Sequence, residues 1–275
     1  MPLGSRGTHV GFAFYQTNYV LGNSWKELDA NGTSRTFELF SITPLKRTLN
    51  NSSFIELYYR NKQLTDNIDI FDYKAEKSTH QGEIRWRGDY RDKNSINAYS
   101  VAHVFGNLKM QSADAKDGDY YGTEGGYQKT RADYMRIQGV SDNANLHFSI
   151  TGQYAWTPLD SSEKMYIGGP NGVRAYPQGE AGGDHGVLGN VELRFRLKDY
   201  RWQIGPFIDY GWVRYNRNYA YSRTLSAAGI SVLFSEPGKY SVKLDYGLPL
   251  SDSYSATAGK RVNSGQVWLQ AIFKI

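Results

Sequence analysis

Hydrophobic and polar residues alternate along most of this chain with a period of two, the pattern of β-strands with one apolar and one polar face. From Val187 to Leu197 one face carries Val187, Gly189, Val191, Leu193, Phe195 and Leu197, and the other carries Leu188, Asn190, Glu192, Arg194 and Arg196. The next segment sets Trp202, Ile204, Pro206, Ile208, Tyr210 and Trp212 against Arg201, Gln203, Gly205, Phe207, Asp209 and Gly211. The C-terminal segment sets Val267, Leu269, Ala271, Phe273 and Ile275 against Gln266, Trp268, Gln270 and Lys274. Weaker alternation runs over 8–20, 35–46, 52–63, 68–76, 81–91, 96–107, 131–140, 146–156, 225–234 and 240–250, which predicts about thirteen strands in all. No segment reads as a helix. Turns rich in Asn, Asp, Gly and Ser, such as Asn50-Asn51, Asp142-Asn143 and Glu236-Pro237-Gly238, fit an antiparallel meander.

Where the two faces point separates a soluble sandwich or propeller from a membrane barrel. The polar face holds charges in rows: Glu192, Arg194 and Arg196 in one strand, and Glu83, Arg85, Arg87, Asp89 and Arg91 in another. Such rows do not fit a dry core but suit a hydrated lumen. Trp202 and Trp212 share the apolar face ten residues apart, a rise of ~34 Å, or ~26 Å along the barrel axis at a tilt near 40°. That matches the ~25 Å apolar band of an outer-membrane barrel, with an aromatic girdle at each edge. Tyr90, Tyr154, Trp156 and Tyr240 also fall near strand ends. The expected fold class is all-β: an antiparallel transmembrane β-barrel contacting lipid of the Gram-negative outer membrane. One composition regime runs through the chain, so one domain is expected over 8–275, after an unstructured lead over 1–7.

Composition narrows the partners. The 275 residues contain no cysteine, which excludes disulfide frameworks and thiolate metal sites. The net charge of +5 comes from 32 basic residues interleaved with 27 acidic ones and never gathered in a basic run, which argues against a nucleic-acid partner. No apolar stretch reaches the length of a transmembrane helix, and Met1–Gly7 has no signal-peptide core. His9, His80, His103 and His185 show no ligand spacing, so no metal is expected. Asp114, Asp117 and Asp119 lack the glutamate of a calcium loop and are expected in a solvated loop.

One connection stands out: 157–186, which is long for a loop and carries Met165, Tyr166, Ile167, Val173, Arg174 and Tyr176 at its centre. A loop with its own apolar core is expected to pack inside the barrel. Its Gly168-Gly169-Pro170-Asn171-Gly172-Val173-Arg174-Ala175-Tyr176 resembles the Val-Arg-Gly-Tyr/Phe loop tip of the outer-membrane protein-assembly and translocation superfamily, with Ala175 where that family has Gly. Downstream, Phe207-Ile208-Asp209-Tyr210-Gly211 resembles its Phe/Gly-x-Asp-x-Gly strand motif. The surrounding text is most similar to the two-partner secretion transporters, the hemolysin-activator and filamentous-hemagglutinin exporter branch.

The resemblance implies export of a large secreted partner, an adhesin, hemolysin or toxin, with no chemistry, cofactor or nucleotide. It also implies a sixteen-stranded barrel preceded by POTRA domains, a plug helix and a signal peptide. None of these precedes Thr8, so the expectation is an N-terminally truncated transporter. Alternation points Phe207 and Asp209 into the lumen, where a folded-in loop brings Arg174 to the wall. An Arg174–Asp209 ion pair is therefore expected as the lock. Gly211 is expected to leave room for the tip, and Tyr176 to stack against the wall.

Three rivals remain. An assembly factor would use the same two motifs. A passive porin would explain a polar lumen but not the motifs. A barrel phospholipase is suggested by the spacing of His147 and Ser149, yet these share the lumen face rather than the lipid face, so no catalytic residue is assigned.

Overall fold

The computed structural model describes residues 2–3, 7–22, 27–251 and 253–274; Ile275, assigned above to an apolar face, lies outside them. Twelve long strands follow one another in sequence order in one antiparallel sheet. They are β1 (Thr8–Val20), β2 (Ala30–Arg47), β3 (Asn51–Ile68), β4 (Tyr73–Arg91), β5 (Ser95–Met110) and β6 (Gly125–Ser141). The rest are β7 (Ala144–Ala155), β8 (His185–Arg196), β9 (Trp202–Arg214), β10 (Ser222–Glu236), β11 (Tyr240–Pro249) and β12 (Gln266–Phe273). Pro2–Leu3 add a two-residue strand against Thr8 and His9, so the lead is not wholly unstructured.

The count of full strands differs from the alternation reading at one place. Residues 68–76 are not a strand: β3 ends at Ile68, a 3-10 turn occupies Asp69–Phe71, and Asp72 takes a left-handed conformation at φ 49° before β4 begins. Ile68 and Ile70, then Phe71, Tyr73 and Ala75, imitate a period of two, but aspartate tolerates the left-handed turn at Asp72 that breaks the strand.

The chain forms two compact units, residues 1–88, 100–132 and 154–163, and residues 89–99, 133–153 and 164–275. In the first, β1–β3 pair over their full length, with a bulge between Pro44 and Lys46 where proline cannot donate. Carboxylates and guanidiniums interleave across neighbouring strands. Arg60 bridges Glu38 at 2.5 Å and Glu83 at 2.6 Å, Arg85 meets Glu83 at 2.5 Å, and Arg87 pairs with Glu56. Arg60 and Arg85 also lie against the Tyr58 ring.

On the other face Phe12 and Phe14 are 76% and 64% exposed, while Glu56 is 1% exposed. Apolar residues outside and charges inside reverse a soluble protein's arrangement, as a strand between lipid and a polar interior requires. The chain is thus an all-β outer-membrane barrel sheet.

The acidic cluster is more ordered than a solvated loop. Residues Ala113–Asp117 form a short helix capped by Ser112, which no periodicity announced. Asp114 accepts from Lys74 N, and Asp119 accepts from Thr123 N, Thr123 Oγ1 and Glu124 N, closing the turn. Short Asx-type closures of this kind leave no signature in a hydropathy pattern.

In the second unit β7 pairs with β8, and β8–β12 continue the meander. Alternation is sharp in β9, where Phe207 and Asp209 are buried and Ile208 and Tyr210 are exposed. Trp202 packs on Phe234 at 4.5 Å near one end of the strand, and Phe234 packs on Tyr240 at 5.3 Å. Trp212 sits half-buried near the other end.

Candidate functional site

The buried face of β8–β12 is covered by the central part of the long loop. Met165, Ile167, Val173, Ala175 and Tyr176 form one apolar cluster with Leu188, Val213, Leu225 and Ala227 from the strands. Local backbone geometry shapes the tip. Gly169 has φ 108°, Val173 N donates to Ile167 O at 2.7 Å, and Tyr176 N donates to Val173 O at 3.1 Å. Ala175, fully buried, does not occupy the left-handed region that would favour glycine. The substitution of Ala for the family's Gly therefore introduces no backbone strain.

The tip presents Arg174 to β9. Asp209 accepts from Arg174 N at 3.0 Å, Nε at 3.0 Å and Nη2 at 2.9 Å, and from Asn190 Nδ2 at 2.8 Å. This is a side-on guanidinium–carboxylate pair with the backbone amide as a further clamp, on a fully buried carboxylate. The guanidinium also lies 3.3 Å from the Phe207 ring centroid, so the Phe-x-Asp spacing supplies both an aromatic face and a charge.

Two more carboxylates reach Arg174 Nη1: Glu192 of β8 at 2.8 Å and Asp245 of β11 at 3.3 Å. Arg194 pairs with Glu192 at 2.5 Å and Lys243 with Asp245 at 2.9 Å. Three cations thus face three anions, as burial of so many charges demands. Arg196 lies further along β8.

Two glycines let the tip approach. A Cβ on Gly211 would stand 2.9 Å from Ile167 Cδ1 and 3.2 Å from Val173 Cγ2, and one on Gly247 would stand 2.9 Å from Arg174 C. Trp268 of β12 donates its indole N–H to Arg174 O at 2.8 Å, and the Tyr176 hydroxyl lies 3.2 Å from Ser251 Oγ. The predicted residues Val173, Arg174, Ala175, Tyr176, Phe207, Asp209 and Gly211 are therefore brought together with Glu192 and Arg194, while on the opposite face of β9 Trp202 is exposed and Trp212 half-buried.

Asp245, Gly247, Lys243, Asn190 and Trp268 went unassigned in the sequence. One signal was present: the tripeptide Asp209-Tyr210-Gly211 recurs as Asp245-Tyr246-Gly247, and both copies give Arg174 a carboxylate and the tip a glycine.

The flanks of the loop are held by buried acids. On the outgoing limb, Glu180 accepts from Ser255 Oγ at 2.5 Å, Ala256 N at 3.1 Å and Thr257 N at 3.0 Å, and pairs with Arg223. Burial alone would raise its pKa, but these donors and Arg223 outweigh it and hold the carboxyl below its ordinary range. Asp184 receives Arg217 N at 2.9 Å, and Lys164 lies 3.6 Å from Asp184.

The incoming limb is anchored in the first unit. Glu163 meets Lys62 at 2.7 Å and Lys129 at 2.8 Å, and Asp160 meets Lys77 at 2.8 Å. Burial opposes ionisation of both acids, yet the lysines lower both pKa values.

These features were compared with known proteins. Residues 1–234 match the family model described as haemolysin secretion/activation protein ShlB/FhaC/HecB. A heme/hemopexin transporter protein, HuxB of Haemophilus influenzae, is 25% identical over 278 residues, covering 96% of this chain and 48% of the relative. The chain thus spans about half the length of the curated relatives it matches.

Among solved structures, CdiB from Escherichia coli aligns with a TM-score of 0.75 at 17% identity, over 96% of this chain and 49% of that one. CdiB from Acinetobacter baumannii aligns at 0.70 and 16%, over 96% and 46%. At that identity the two structures speak for the fold. On the family match, the chain belongs to the haemolysin secretion/activation proteins ShlB/FhaC/HecB, the two-partner secretion transporters of the Gram-negative outer membrane.

Proposed function

We propose that this protein exports a large partner polypeptide across the outer membrane, with 157–186 as an internal loop locked to the lumen wall in the resting state. The observation that carries the reading is Arg174, buried in the loop and clamped by three carboxylates on three different strands. A passive pore needs no such lock on an element lying across its own interior. Membership of a secretion family supports the same reading.

The reading involves no covalent chemistry. An extended chain passes, driven by folding outside the cell, with no nucleotide or cofactor. The exposed apolar faces, with Trp202 and Trp212 as girdle residues, contact outer-membrane lipid. The family's description as haemolysin secretion/activation proteins supports a secreted polypeptide as cargo.

The test is a strain lacking this gene, complemented by the protein at its natural length, with large polypeptides released into the medium compared. The partner should appear outside only with complementation. Equal release without it, while small solutes still depend on the protein, would favour a porin instead.

A further inference from the structure

Beneath the loop tip lies a cavity of about 320 Å³ whose lining includes Met135, His147, Ser149, Asn190, Arg194 and Lys243. We propose that this cavity is a binding site for a carboxylate carried on an extended polypeptide, an acidic side chain of the passing partner. The source of that carboxylate rests on the exporter reading; the site itself rests on the arrangement of charge.

Two anions of the network, Asp209 and Asp245, lie behind the cavity wall, while Glu192 is part of its lining. Asp209 and Asp245 are fully buried and Glu192 nearly so. Their oxygens are engaged: Asp209 by Arg174 and Asn190, Glu192 by Arg174 and Arg194, and Asp245 by Arg174 and Lys243. Two of the three cations are nearer the opening, with the side chains of Arg194 and Lys243 21% and 20% exposed. Arg194 meets Glu192 through Nε, which leaves its terminal nitrogens as further donors. His147 stands opposite Glu192 in the strand register and adds an imidazole to the same wall.

The network as a whole is neutral, and its charge is unevenly placed: Asp209, Asp245 and Arg174 lie inward, Glu192 lines the cavity, and Arg194 and Lys243 reach furthest outward. A guanidinium, an ammonium and an imidazole around a small cleft form a recognition set for a carboxylate. The volume lies at the low end of ligand pockets, roughly 300–1,000 Å³. It admits a side chain and not a folded domain. A guest would share Arg194 and Lys243 with carboxylates they already serve, so its hold is weak and reversible, which conduction of a chain requires.

The test uses the protein at its natural length in detergent, with fluorescent blocked tetraglutamate as the probe, tetraglutamine as the neutral control and inorganic phosphate as competitor. Tetraglutamate should bind saturably and at least tenfold more tightly than tetraglutamine, and Arg194→Gln and Lys243→Gln should each weaken it about tenfold.

Met135→Glu provides a variant outside the ion network. Met135 lines the cavity and is itself exposed, so the new carboxylate should occupy the site and abolish probe binding while the heat-dependent gel shift of a folded barrel persists. Full competition by phosphate at concentrations matching the probe would point to a phosphate or lipid headgroup instead and overturn the assignment. So would equal binding of the two peptides, no saturable binding, or tetraglutamate binding unchanged by Met135→Glu. Because binding is read without secretion, loss of the site with normal export leaves the exporter reading standing, and binding without export does the reverse.

Discussion

Removing the arginine at the centre of the lock gives the sharpest quantitative expectation. Arg174→Ala deletes the guanidinium that pairs with Asp209, Glu192 and Asp245, and leaves the backbone bonds to Asp209 and Trp268 in place. Breaking a buried pair by removing one partner costs about 3–5 kcal/mol. Arg194 and Lys243 still serve Glu192 and Asp245, so the lower figure applies, about 3 kcal/mol. At about 1.4 kcal/mol per tenfold, the undocked loop becomes roughly 100-fold more populated.

The protein has no cysteine, so one introduced thiol is a clean reporter. Val173 is fully buried, and Val173→Cys is smaller than the residue it replaces. Its maleimide labelling rate tracks local opening when closing is fast. Val173→Cys with Arg174→Ala should label roughly 100-fold faster than Val173→Cys alone. A rise of less than about fivefold would mean the apolar cluster holds the tip without the ion pair, and the lock argument would fail.

Other outcomes follow from the same contacts. Gly247→Ala places a Cβ against Arg174 backbone that has no freedom to give, so Val173→Cys labelling should rise about tenfold at a cost near 1.5 kcal/mol; an unchanged rate would refute the close approach. Because the Glu180 carboxyl is held below its ordinary 4.5, its contribution is full above that value and is lost as pH falls through the lower folded one. Amide exchange at Ala256 and Thr257, corrected for intrinsic rates, should therefore lose protection on acidification below 4.5, and Glu180→Gln should show the loss already at neutral pH; protection indifferent to both would remove Glu180 from the clasp. Glu163→Gln leaves Lys62 and Lys129 facing each other without their anion, and exchange at Ser162 to Lys164 should accelerate while Val173→Cys labelling changes little.

How far the sequence revealed this arrangement depended on what each feature leaves in a one-dimensional pattern. Strands β8 and β9 were legible because each places apolar residues toward lipid and charges toward the interior, residue by residue. The ends of β2 and β3 were not. Ala30–Ser34 and Leu64–Ile68 pair through backbone hydrogen bonds, and mostly polar side chains on both faces carry no clear alternation. Ser255 and Thr257 gave no cue either, since the clasp joins residues 75 and 77 positions from Glu180 through hydroxyl and backbone groups. Arg174 and Asp209 were found by their motifs, but the motif named one acceptor for a guanidinium that meets three. Glu192 was marked only as a charge on the inner face. Asp245 was readable through the repeated Asp-Tyr-Gly, a signal that works because β9 and β11 face the same tip and solve the same packing problem.

The central claim is that the locked loop governs passage of the partner. It is tested by secretion into the medium from cells carrying the natural-length protein with Arg174→Ala, Asp209→Ala or both, with barrel assembly checked by the heat-dependent gel shift. The account predicts assembled barrels with strongly reduced export in each single variant, and a double variant no worse than the weaker single, because both changes remove the same contact. Export at the original level from all three, with the barrels intact, would contradict it.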